Sequence, residues 1–170
     1  MKLKHIYSFL LFYFIANIGF AQTVDFDELS YKGLRFYSAK ADIIQKLGTP
    51  KKVYDPTYDC GFLSADTQGQ TYTTLDYGAF KFTGNQKEHY LLEIVDFEKD
   101  LSVIVTYKNQ NLSHNTTLSE LVEIFGQELA QTFGKRKDGT IILFQKNSDD
   151  GLRLYLKNGK LIRLEYWSPC

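Results

Sequence analysis

The chain has only two cysteines in 170 residues, Cys60 and Cys170, too few for the disulfide frameworks that staple small extracellular scaffolds. Histidine is nearly as scarce. Of the three, only His89 and His114 lie beyond the first 21 residues, and neither has a second ligand at helical or hairpin spacing, which argues against a structural zinc. There is no excess of charge: twenty basic side chains stand against twenty acidic ones. Removing Lys2 and Lys4 with a leader leaves eighteen against twenty, so the remaining chain carries no electrostatic footprint for nucleic acid or an anionic membrane. The cluster Lys135, Arg136 and Lys137 runs directly into Asp138-Gly139 and reads as a solvated loop.

Signatures of catalysis are missing too. No Gly-x-Ser-x-Gly elbow occurs, and Asp149-Asp150-Gly151 lacks the later ligands of a calcium loop and reads as a β-turn. A serine-histidine-acid triad needs only convergence in space, so the sequence leaves it open. Both histidines nevertheless stand beside polar or turn-forming residues and read as surface groups. Carboxylates for glycoside hydrolysis could be drawn from Asp55, Asp59, Asp66, Asp76 or Glu93, but nothing in the sequence selects a pair. No residue pattern calls for a cofactor.

One long apolar run is present, and it is N-terminal. Lys2, Lys4 and His5 precede an apolar stretch from position 6 to 20, and Gly19 and Ala21 put small residues where a signal peptidase requires them. Residues 1–21 therefore read as a cleavable signal peptide with Gln22 as the mature N-terminus. The competing reading is a membrane anchor; against it, the uninterrupted run is short of the roughly 20 residues a span needs, and Asp25, Asp27 and Glu28 follow. The expectation is a periplasmic or secreted protein without a transmembrane anchor. Export would allow Cys60 and Cys170 to pair, closing a loop of 170 − 60 = 110 residues worth roughly 4 to 5 kcal/mol by chain entropy. Two free thiols are the alternative.

Self-comparison gives an internal repeat. Leu34, Asp42, Ile43, Ile44 and Gly48 recur as Leu112, Glu120, Leu121, Val122 and Gly126, at a constant offset of 112 − 34 = 78. Each copy reads as a short helix stopped by glycine. In the second, Thr117 and Glu120 have capping-box spacing, and Leu118, Leu121, Val122 and Phe125 share one face. In the first, Ser38 is the expected cap, Ala41, Ile44 and Leu47 the expected buried stripe, and Gly48 with Pro50 the stop. Strand-like runs follow each helix, at 71–75, 79–82 and 90–97, and at 140–145, 152–156 and 161–167; Phe80, Phe82 and Phe97 fall in the core pattern. A further strand is expected over 101–107. For the last hairpin, a three-residue loop at 157–159 setting Leu154 opposite Ile162 keeps one face apolar. The expected fold is α+β: two tandem α-then-antiparallel-β repeats, 22–98 and 99–170, forming one domain with short helices packed on a sheet.

The acidic-aliphatic-aliphatic helix ending in Leu47-Gly48-Thr49-Pro50, followed by aromatic-rich strands, resembles the small exported modules typified by the beta-lactamase inhibitor protein and the outer-membrane assembly lipoproteins. The resemblance implies a tandem helix-plus-sheet fold and a role in binding another exported or envelope protein rather than in catalysis. The lipidated cysteine of the lipoproteins is absent. The connection 55–69 is long for a compact domain, which favours a functional role. Tyr54, Tyr58, Asp59, Phe62 and Asp66 are its candidate partner-binding residues, since tyrosines beside carboxylates suit protein contacts. The alternative is that Tyr54 and Phe62 belong to the core. The function expected is thus a non-enzymatic protein-binding module, an inhibitor or immunity factor; the rival is a secreted hydrolase using scattered carboxylates.

Overall fold

A computed structural model describes residues 23–56, 71–135 and 138–169. The leader, Cys60, Cys170, Tyr58, Asp59, Phe62 and Asp66 therefore lie outside the described residues, as do Arg136 and Lys137. Among those described, no helix is long and apolar enough to cross a membrane.

The fold is β-rich. The first half contributes β1 (Thr23–Val24), β2 (Leu29–Tyr31), β3 (Leu34–Arg35), β4 (Tyr37–Ser38), helix α1 (Lys40–Leu47), β5 (Lys52–Tyr54), β6 (Thr73–Asp76), β7 (Phe80–Asn85) and β8 (His89–Asp96). The second contributes β9 (Val105–Tyr107), β10 (Gln110–Leu112), helices α2 (Leu118–Phe125) and α3 (Glu128–Lys135), then β11 (Thr140–Gln145), β12 (Gly151–Lys157) and β13 (Lys160–Trp167). Nine strands form one sheet in the order β1-β11-β12-β13-β8-β7-β6-β5, with β4 also paired to β8; β10-β9-β2-β3 form a second sheet. Every pairing is antiparallel except β1 with β11.

This overturns the two tandem helix-plus-sheet repeats expected from the sequence. The halves do not close separate units: β13 pairs with β8 through Leu164↔Val95, and β2 with β9 through Leu29↔Tyr107, so each sheet draws strands from both halves. The physical reason is cover. Helices of two turns bury little: Ile43 is the one buried residue of α1 and Leu121 of α2, so the second sheet contributes buried residues such as Leu29, Tyr31, Val105 and Tyr107 to the core as well. Aromatic rings join the layers: Tyr31 of the small sheet lies 4.6 Å from Phe80, and Phe36 lies 6.3 Å from Tyr166 of β13. The Phe36 backbone bridges both sheets, donating its N–H to the Leu29 carbonyl and accepting from Leu92 N–H.

Details of the elements also differ. Helix α2 has its capping box: Thr117 Oγ1 accepts from Glu120 N–H, and the Glu120 carboxylate accepts from Thr117 N–H at 2.7 Å. Helix α1 does not use Ser38 as a cap, because that hydroxyl donates to the Arg35 carbonyl; Ala39 is the N-cap and offers no side-chain acceptor. Its inward face is Ile43 and Leu47, while Ala41 and Ile44 point to solvent. The strand expected over 101–107 is reduced to Val105–Tyr107, since Asp100 folds back to accept from Ser102 N–H and Oγ–H, making a turn. The last hairpin turns in two residues, Asn158-Gly159, both with positive φ, and sets Leu154 opposite Leu164. A register shift at Tyr155/Leu156 absorbs one residue and keeps Leu154, Leu156, Leu161 and Leu164 on the buried face, the outcome that the longer loop was expected to provide. Phe80, Phe82 and Phe97 are buried, in line with their alternation.

Candidate functional site

Strand alternation gives the large sheet two unlike faces. One carries Leu75, Phe82, Val95, Leu143, Leu154 and Leu164, all buried. The register places a different set on the other. Lys52, Asp76 and Lys81 form one cross-strand row, and Tyr54, Thr74 and Thr83 the next. Across β11, β12 and β13 the rows are Ile142, Arg153 and Glu165, then Thr140, Tyr155 and Arg163.

At the β5 end, Lys81 Nζ donates to Tyr54 Oη at 2.8 Å, sits 5.5 Å from the ring centroid and lies 3.8 Å from the Asp76 carboxylate. The hydrogen bond to Tyr54 is the main reason that the lysine pKa is raised, with Asp76 and Glu93 adding to it. Beside it, Thr83 donates to Glu93 at 2.5 Å, which commits the Thr83 proton and makes Thr74 the donor in the 2.7 Å contact between the two threonines. Near the middle, the Arg163 guanidinium lies 5.3 Å from the Tyr155 ring and 2.8 Å from Glu165, while Tyr155 Oη donates to the same carboxylate at 2.9 Å. At the β1 end Phe144 and Trp167 meet edge to face at 5.7 Å, on either side of Gly151 in the same row. Gly151 has no side chain to separate them.

Aromatic rings and an arginine held in fixed rotamers by their neighbours present contact area at small entropic cost, the composition that anchors protein interfaces. Among the described residues no group of three or more His, Cys, Asp or Glu is placed to hold a metal ion.

Of the candidate partner-binding residues, the structure places Tyr54, which is exposed on the edge strand β5 and belongs to this face rather than to the core. Sequence reasoning missed Lys81, Phe144, Tyr155, Arg163, Glu165 and Trp167. The signal lay in the last hairpin: Arg153 and Tyr155 alternate with leucines, and so do Arg163 and Glu165 once the register shift is allowed for.

A groove lies elsewhere. It measures about 650 Å³ and runs between the turn at Gly33, strands β3 and β4, and the exposed side of α1, with His89 at its rim. Ser38, Asp42 and His89 all line it, the residue types of a hydrolytic triad. They are not wired as one: Ser38 Oγ gives its proton to the Arg35 carbonyl at 2.9 Å, and no hydrogen bond joins His89 to Ser38 or Asp42 among the described residues. No protein-family model, no curated protein and no solved structure matches the chain.

Proposed function

We propose that this is an exported, non-enzymatic binding module that engages another exported or envelope protein through the outer face of its large sheet. The observation carrying the reading is the cluster of Arg163, Tyr155 and Glu165, in which an aromatic ring and a guanidinium are locked together on the outer sheet face. Tyr54 with Lys81, and Phe144 with Trp167, extend the same kind of surface toward both edges. An inhibitor, or an immunity factor against a delivered toxin, would use such a face, since blocking requires area and anchors but no turnover.

The test is affinity capture from the native cell envelope with the mature protein as bait, run beside the double variant Y155A/R163A. A partner held by the parent and released by the variant, with Kd weakened by at least about 2 kcal/mol or roughly thirtyfold, supports the proposal. Recovery of no partner at any salt, together with turnover of a model ester or glycoside, would sink it in favour of the hydrolase.

A further inference from the structure

The groove beside α1 brings side chains of both charge signs together without pairing them. Several basic side chains elsewhere are matched to acids: Lys81 to Asp76, Lys99 to Asp96, Lys157 to Glu98, Arg163 to Glu165. The groove instead gathers Arg35, Lys46 and His89 around a single carboxylate, Asp42, and no ion pair forms among these four. In a chain with no net charge, that is a local cationic excess in a concave site. Lys46 Nζ lies near the turn, 3.8 Å from where a Cβ on Gly33 would stand, and the positive φ of Gly33 shapes that turn.

His89 is one of six non-glycine residues with positive φ among those described. Its φ is +71°, a region costly for a residue with a Cβ, and it sits where glycine would be cheapest, at the end of the β7–β8 turn. The same turn does use glycine at Gly84, where a Cβ would collide with the His89 carbonyl.

We propose that this groove binds a small oxyanion, a phosphate- or carboxylate-bearing molecule, through Arg35, Lys46 and His89. The site stands apart from the outer sheet face, and its occupancy is independent of any protein partner. The volume, about 650 Å³, is within the usual range for small-molecule sites, and the polar lining suits a charged ligand better than an apolar one. Asp42 opposes the binding and sets its selectivity, disfavouring ligands that bring their charge to the α1 side.

The probes are inorganic phosphate and glutarate, titrated separately at constant ionic strength and followed by the amide signals of Gly33, Ser38 and His89. Saturation by one or both below about 10 mM, with shifts confined to the groove, is expected, and the tighter probe identifies the oxyanion class. R35A should weaken that affinity about tenfold, the loss of one charge-assisted hydrogen bond, whereas D42N should tighten it. H89G should weaken binding while raising the melting temperature, since glycine removes the backbone strain. Absence of saturation with both probes overturns the site. So does saturation whose affinity is the same in the parent, R35A, H89G and D42N, because surface charge alone would then account for it.

Discussion

Thr117 and Glu120 show how much one short stretch of sequence can determine. Their reciprocal hydrogen bonds satisfy two donors at the start of α2, and the helix is then stitched to the last hairpin by Leu118 N–H donating to the Gly159 carbonyl. T117A should cost about 1 kcal/mol, read from the midpoint of urea unfolding at constant slope. The same pair makes an acid-sensitive contact. Hydrogen bonds from the Thr117 backbone and side chain hold the Glu120 pKa below its ordinary value of 4.5. A lowered folded-state pKa means a contribution that is complete above 4.5 and lost as pH falls through the folded value. Stability measured from pH 7 downward should therefore fall less steeply below 4.5 in T117A than in the parent.

At the scale of elements, the two main helices differ in how they are started. Ala39 caps α1 with extended backbone but no acceptor, so the first N–H groups of that helix have no side-chain partner there. A39S should supply one and stabilise the protein by about 1 kcal/mol, checked by a rise in the urea midpoint. Sequence pattern was a good guide where a local rule acted alone: the capping box, the glycine stops at Gly48 and Gly126, and the strand at Thr140–Gln145 all stand as read. It failed where a tertiary contact decided. Ser38 has the composition of a cap but spends its proton on Arg35, and Ile43 rather than Ile44 turns inward because α1 meets the core at one point only. The register of the last hairpin depended on a shift at Tyr155/Leu156 that no residue type announces. The outer face was legible in part. Its residues are the polar and aromatic positions between the leucines, but that they form one surface follows from β13 pairing with β8, a contact between halves.

That contact governs the whole molecule. Because β8 meets β13 and β2 meets β9, neither half contains the partners that its own strands require. A fragment of residues 22–98 should lack a cooperative thermal transition and show poor amide dispersion, while residues 22–170 together unfold in one step. Two separate transitions, or a folded fragment, would show instead that the halves are autonomous. The parallel pairing of β1 with β11 also has a meaning in time. Thr23 meets Phe144 across 144 − 23 = 121 residues, so the first of the described strands waits until all but the last 170 − 144 = 26 residues have been made before it has that neighbour. Throughout that interval Val24, buried in the finished protein, lacks the strand beside it, while Phe26 can already stack on the nearby Phe36.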